Sequence, residues 1–157
     1  ALGASADAPE PEAVPFASLE DAHPAVLASL SRLGFETATY VQSQAAPVFR
    51  EGRDVVIAAE TGSGKTLSYL VPIFSNLLRN GHGPQTRVAR GTGALILVPN
   101  ASLVTQVKSV CDSLVDANGD PLLKTVGLTP DASLPDSDPS RCGALDCRLP
   151  SMLITSK

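Results

Sequence analysis

The chain has 157 residues, of which 43% are hydrophobic and 18% charged. That length suits about one folded domain with its own core, and the composition excludes a chain that is disordered throughout. The formal net charge of −4 provides no overall attraction for a polyanion, so binding of nucleic acid would need a local patch or backbone amides. No apolar run approaches the roughly 20 residues that a membrane-spanning helix requires.

Residues 1–15 differ in composition from the rest. They are rich in Ala and Pro, contain three acidic residues and have no Lys or Arg. Because they also show no apolar periodicity, they predict a disordered leader, followed by a folded portion over residues 16–157.

Apolar periodicity in the folded portion predicts an alternation of helices and strands. Helices are predicted from Ser18 to a stop at Gly34, over residues 41–50, from Leu67 to Leu78, and from Leu103 to Val115. Strands are predicted over residues 54–60, 94–99, 123–129 and 151–156, with a Pro-, Asp- and Ser-rich loop over 130–150. This order indicates an α/β fold with a mostly parallel sheet flanked by helices.

The three cysteines point to no metal site. Cys111 falls on the apolar face of a predicted helix and is expected in the core. Cys142 and Cys147 lie close together in the sequence, but no second Cys or His pair accompanies them, so zinc binding is disfavoured. Without a secretory signal, the odd count favours a reducing compartment.

The stretch AETGSGKT, residues 59–66, has the pattern of a phosphate-binding loop between a strand and a helix. Its glycines allow successive backbone N–H groups to converge on phosphate oxygens, and the following helix N-terminus favours anions. Lys65 can reach the outer phosphates, and the Thr66 hydroxyl can bind Mg²⁺, which makes these two the candidate catalytic residues. Ala59 replaces the first glycine of the general pattern. The candidate nucleotide-binding residues of the loop are Ala59, Glu60, Thr61, Gly62, Ser63, Gly64, Lys65 and Thr66.

Upstream, the stretch GFETATYVQ, residues 34–42, follows an isolated Phe16. A glutamine amide offers a donor and an acceptor together, which match the edge of adenine, and an aromatic ring can stack on the base. Residues 16–42 resemble the Q motif of DEAD-box RNA helicases, and residues 59–66 are similar to helicase motif I. The resemblance implies that Gln42 recognises adenine, that Phe35 stacks on it and that Phe16 supports the motif. Ala38 stands where the family usually has Pro.

Two further stretches resemble RNA-contacting motifs of the same family. Residues 99–106 occupy the place of motif Ia, where the family's Thr-Arg-Glu is replaced by Asn100, Ala101 and Ser102. Residues 155–157 resemble the start of motif Ib. The resemblance implies RNA contacts from Pro99, Asn100, Ala101 and Thr155, weakened because the motif Ia arginine is missing.

The resemblance implies a P-loop NTPase, namely the front of an incomplete RecA-like domain 1 that uses ATP and Mg²⁺ to remodel RNA duplexes. The D-E-A-D stretch, the S-A-T linkage and the second RecA-like domain are not among the 157 residues. Because phosphoryl transfer needs several such parts at once, the chain alone is expected to bind nucleotide weakly without hydrolysing it. The stretches PNASL and LVDANGDPLLK look most like the plant plastid subgroup typified by DEAD-box RNA helicase 22, which implies a chloroplast location.

Two alternatives stay open from the residues alone. A P-loop kinase of small substrates would share the phosphate loop but would be indifferent to mutation of Gln42. A non-catalytic fragment would bind nucleotide or a partner without turnover. The sequence leaves open the oligomeric state, and whether the chain is a truncated gene model or a genuine short product.

Overall fold

A computed structural model describes residues 14–83, 92–129 and 152–156. In chain order the elements are β1 (Val14–Pro15), a 3₁₀ turn (Phe16–Ser18), α1 (Pro24–Arg32), β2 (Thr37–Ala38), α2 (Tyr40–Arg50), α3 (Lys65–Arg79), β3 (Ala94–Val98), α4 (Ala101–Ser113), β4 (Thr125–Leu128) and β5 (Met152–Ser156). None of these helices is long and apolar enough to cross a membrane. The helices predicted over residues 41–50, 67–78 and 103–115 are confirmed, because they correspond to α2, α3 and α4.

Within the described residues, the main sheet has three parallel strands in the order β3-β5-β4. Helix α4 connects β3 to β4 and packs on the sheet so closely that a Cβ added at Gly127 would lie 3.0 Å from Val104 Cγ1. Such a crossover is the usual way to join parallel strands. The predicted α/β fold with a parallel sheet is confirmed.

A single apolar core joins the sheet to the helices. Its fully buried members include Leu30 of α1, Phe74 of α3, Leu114 after α4 and Ile154 of β5. Buried hydroxyls add polar links, since Ser29 Oγ accepts a hydrogen bond of 2.9 Å from the Val115 amide. The helix that follows the phosphate loop is thus fixed against the rest of the described chain.

The first predicted helix begins later than expected. Helix α1 begins at Pro24, and Nδ1 of His23 caps it by accepting from the Ala25 amide at 3.2 Å. Proline suits the first turn because its missing N–H would have no partner there. Ser18, where the helix is predicted to begin, instead donates to the Pro15 carbonyl at 2.7 Å in the 3₁₀ turn.

Two other predictions need correction. Residues 14–15 lie in the expected disordered leader, yet they form β1, which pairs antiparallel with β2. Residues 54–60 are expected to form a buried parallel strand, but they are irregular and Val56 is 98% exposed. A strand is stabilised by the ladder of a neighbour, and none of the three described strands of the main sheet pairs with this segment. Residues 1–13, the 130–150 loop, Cys142 and Cys147 lie outside the described residues.

Candidate nucleotide site

The phosphate loop enters α3 through two glycines in the left-handed region. Gly62 and Gly64 both have φ of +86°, and Gly64 is the N-cap of α3. A Cβ at Gly64 would lie 2.5 Å from Gln42 Nε2 and 3.0 Å from Thr39 Oγ1, whereas one at Gly62 would meet no described atom within 4 Å. Gly64 is therefore required both by its backbone conformation and by the close approach of α2.

Thr39 and Gln42 fasten the start of α2 to this loop. The Gln42 side chain, 5% exposed, donates from Nε2 to the Gly64 carbonyl at 3.1 Å and accepts from the Thr39 amide at 2.8 Å. Thr39 Oγ1 donates to the Ser63 carbonyl at 2.8 Å. The residue expected to recognise adenine is thus in direct contact with the phosphate loop. Sequence reasoning missed Thr39, although Thr-x-x-Gln before an apolar run is the signature of the capping box that the structure contains.

The Lys65 ammonium lies inside the loop. Its Nζ donates to the Ala59 carbonyl at 2.6 Å and also to the Glu60 carbonyl. Ser63 Oγ donates to the same Glu60 oxygen at 2.8 Å, so the loop closes around the lysine head group. The sequence predicts that the Lys65 ammonium binds a phosphate. In the structure this ammonium is bound by the carbonyls of Ala59 and Glu60, within the loop that is predicted to hold the phosphate.

Thr66 follows in the first turn of α3 and lies one helical turn from Tyr69. Both residues are half-buried. Burial raises the pKa of the Tyr69 phenol, and the neighbouring Thr66 side chain partly opposes that rise. Tyr69 is a second residue at the site that the sequence patterns did not single out.

The aromatic residues of the upstream motif take different places. Phe35 is 46% exposed, so part of its side chain is accessible to a stacking partner. Phe16 is buried in the core, and its amide donates to the Glu36 carbonyl at 3.0 Å. It therefore braces the segment that carries Phe35 and leads to Gln42. Glu60 and Thr61 are both exposed.

The candidate RNA contacts gather at one end of the parallel sheet. Pro99, Asn100 and Ala101 are exposed where β3 passes into α4, and Asn100 Oδ1 caps that helix by accepting from the Leu103 amide at 2.9 Å. The backbone of Thr155 pairs with Leu97 of β3, which brings the ends of β3 and β5 together. The cap leaves the first amides of α4 pointing outward, where they favour an anion.

The donor set fits a magnesium-bound nucleotide better than a protein-held metal. In the described ranges, no group of three His, Cys, Asp or Glu side chains could hold a metal ion. Mg²⁺ needs only one or two protein oxygens when phosphates supply the others, and the Thr66 hydroxyl lies at the helix start beside Lys65. The loop amides, one ammonium and one hydroxyl together suit a triphosphate with its cation.

A family model described as DEAD/DEAH box helicase matches residues 39–139, a span that contains Thr39, Gln42 and the whole phosphate loop. The chain belongs to this DEAD/DEAH box helicase family.

Two curated relatives in this family are fungal. The chain is 43% identical over 90 residues to the ATP-dependent rRNA helicase spb4 of Botryotinia fuckeliana, covering 57% of this chain and 14% of that protein. It is 39% identical over 107 residues to the ATP-dependent RNA helicase HAS1 of Mycosarcoma maydis, covering 68% of this chain and 18% of that protein. The chain thus spans less than a fifth of the length of either relative.

A solved structure shows the same fold. The crystal structure of a DEAD box protein from the hyperthermophile Methanococcus jannaschii superposes with a TM-score of 0.65 at 24% identity. The match covers 90% of this chain and 34% of the archaeal one. The described elements are accordingly part of a RecA-like α/β domain, as the sequence predicts.

Proposed function

We propose that the chain is the ATP-binding portion of an ATP-dependent RNA helicase that remodels RNA duplexes. The observation that carries this proposal is the pair of side-chain bonds that join Gln42 and Thr39 to the phosphate loop. They bring an amide able to recognise adenine next to amides able to hold phosphate, so one nucleotide can engage both.

Phosphate binding is assigned to the loop and the start of α3. An arriving phosphate competes with the Ala59 and Glu60 carbonyls for the Lys65 ammonium, and an anionic oxygen is the stronger acceptor. The amides at the N-terminus of α3 add their partial positive charge to the same place. The Thr66 hydroxyl is the protein ligand we assign to Mg²⁺, which would neutralise charge on the phosphates.

Adenine recognition is assigned to Gln42 and Phe35. The Gln42 amide carries a donor and an acceptor, and both are now satisfied by main-chain groups of Gly64 and Thr39. If the Gln42 amide binds a base, it must share or give up these two hydrogen bonds. Adenine binding would therefore change the hydrogen bonding of the Gly64 carbonyl in the phosphate loop. The exposed part of the Phe35 side chain supplies an aromatic surface on which a base can stack.

RNA binding is assigned to Pro99, Asn100, Ala101 and Thr155. Backbone amides at the start of α4 can hold a phosphate of the RNA chain regardless of which side chains surround them. With Asn100 engaged as the helix cap and no arginine in the motif, this contact should be weaker than a charged one. Hydrolysis and unwinding belong to the longer protein, and we expect no turnover from the 157-residue chain.

The family assignment and the link from Gln42 to the loop favour the helicase over a small-substrate kinase. The plastid subgroup and the chloroplast location remain predictions from sequence resemblance, and the fungal relatives described above lend them no support.

Equilibrium binding of a fluorescent ATP analogue with Mg²⁺ tests the proposal. The wild-type chain should bind it, and Lys65→Ala should weaken binding at least about tenfold, because a charge-assisted contact to phosphate is lost. Lys124→Ala is the matched control, since this exposed lysine precedes β4. Equal binding by the wild type and Lys65→Ala would exclude phosphate binding at the loop.

A further inference from the structure

A groove lies where the C-terminal parts of α2 and α3 meet the segment before α1. It holds about 330 Å³, which is at the lower end of the range for binding pockets. Its walls are mainly apolar and, apart from the buried Val71, their apolar side chains are half-buried, so apolar surface remains accessible there. The apolar lining includes Leu19, Ala22, Phe49, Val71, Pro72 and Ile73.

A second depression of about 280 Å³ adjoins this groove and shares Asp21, Ala46 and Arg50 with it. Because the two share a wall, they form one elongated surface with two neighbouring subsites. An extended peptide places its side chains at separate positions along its length, so it suits such a surface better than a compact molecule does.

The groove also favours an anionic group. Of the described residues that line it, two are arginines, Arg50 and Arg79, and one is an acid, Asp21. Both arginine side chains are 45% exposed. Arg50 also pairs with Glu20 of the adjoining depression, but the Glu20 side chain is 79% exposed, so this pair is weakly held.

The Asp21 carboxylate lies between the two guanidiniums without a hydrogen bond to either. Its Oδ2 lies 3.5 Å from Arg50 Nε and its Oδ1 lies 3.7 Å from Arg79 Nη2, both longer than an ordinary charged hydrogen bond. Oδ2 is buried, and no described residue donates to it. Arg79 Nη2 instead donates to the main-chain oxygen of Asp21, which holds this guanidinium at the groove. Since a guanidinium has five N–H donors, Arg50 and Arg79 retain donors for a second carboxylate.

We propose that this groove binds a peptide segment of a partner protein in which a large apolar side chain lies next to an acidic residue. The apolar side chain fills the groove between α2 and α3, and the carboxylate accepts hydrogen bonds from Arg79 and Arg50. The site is separate from the proposed nucleotide site, because Gln42 and Lys65 lie in the first turns of these two helices and the groove uses their later turns. Peptide binding is therefore independent of nucleotide.

The test titrates three pools of short peptides into the ¹⁵N-labelled 157-residue chain. The first pool has a central Leu or Phe flanked by Asp or Glu, the second has the same centre flanked by Lys or Arg, and the third has a central Ser with acidic flanks. We expect only the first pool to shift the amide signals of Ala22, Phe49 and Asn76, which line the groove.

The tightest-binding peptide of the first pool is then labelled with a fluorophore and titrated into two variants. Arg79→Gln should weaken its binding at least about tenfold, because a charge-assisted contact to the carboxylate is lost. Arg53→Gln is the matched control and should bind the peptide like the wild type, since this exposed arginine pairs with Glu51 and does not line the groove. Both variants should bind the ATP analogue like the wild type, which separates this proposal from the proposed function.

Other results overturn the proposal. The groove signals could stay unchanged with the first pool, or shift equally with the basic or the Ser-centred pool. Shifts confined to Gly64 and Lys65 would place the acidic peptides at the phosphate loop instead. Groove signals that shift on raising the protein concentration without peptide would make a second copy of the chain the occupant. Should Arg79→Gln fail to fold, the comparison of the three pools on the wild-type chain still decides.

Discussion

The Gln42 side chain donates from Nε2 to the main-chain oxygen of Gly64 across 3.1 Å, and a Cβ at Gly64 would lie 2.5 Å from the same nitrogen. The start of α2 and the end of the phosphate loop therefore fit together with no room for a side chain between them. A substitution at Gln42 should therefore affect the phosphate loop, and a substitution at Gly64 should affect the start of α2.

Replacing Gly64 with alanine should destabilise the chain more than replacing Gly62. Both substitutions force a side chain into the left-handed region, at a cost of about 1–2 kcal/mol. Only Gly64→Ala also collides with Gln42 and Thr39. Urea unfolding should rank Gly64→Ala below Gly62→Ala, and Gln42→Ala should relieve part of the difference. Equal stabilities of the two alanine variants would contradict the close approach.

Removing the Gln42 amide should weaken the fold even without nucleotide. Gln42→Ala leaves the Gly64 carbonyl and the Thr39 amide without their partner, which should cost about 1–3 kcal/mol. Gln44→Ala is the matched control, because Gln44 is an exposed residue of the same helix and its loss should cost little. Chemical denaturation of the two variants measures this difference, and equal small losses would show that the Gln42 bonds contribute nothing.

Stability should depend on Cys111 at alkaline pH. Burial raises the pKa of this thiol from 9.0 to about 12, and the neighbouring Asp112 carboxylate adds to the rise. The unfolded chain releases this proton above about pH 9 while the folded chain retains it, so the stabilisation is complete below that pH and is lost towards about pH 12. Between these values, the free energy of unfolding should fall faster in the wild type than in Cys111→Ala, by on the order of 1 kcal/mol per pH unit.

Urea unfolding of both chains at several pH values from neutral to strongly alkaline measures those slopes. The other two cysteines are present in both chains, so they do not affect the difference between the two slopes. Parallel curves for the wild type and Cys111→Ala would show that the thiol is not protonated preferentially in the fold.

The two faces of β3 should respond differently to polar substitution. Leu97 is 71% exposed, whereas Ile96 faces inward and packs against the core. Leu97→Thr should improve solubility with little change in stability, because it shortens an exposed apolar patch. Ile96→Thr should destabilise by about 1–3 kcal/mol, since it places a hydroxyl against the apolar core. Turbidity and thermal melting of the two variants separate these effects, and equal melting temperatures would contradict the assigned faces.

Sequence patterns predict best the features that depend on neighbouring residues. Apolar spacing locates helix α3, and the glycines at 62 and 64 indicate the phosphate loop. The strand predicted over residues 54–60 is wrong because a β-branched run becomes a strand only beside a partner, and Val56 has none in the described sheet. The link from Gln42 to Gly64 spans 22 residues of chain and depends on how α2 packs on α3, which periodicity alone does not reveal.

In the proposed nucleotide site, Gln42 contacts both the adenine base and the phosphate loop, which makes the site selective for adenine. Equilibrium binding of ATP and GTP, each with Mg²⁺, to the wild-type chain and to Gln42→Ala measures this selectivity. We expect the wild type to prefer ATP by at least about tenfold and Gln42→Ala to lose this preference. Equal affinity of the wild-type chain for ATP and GTP would contradict it.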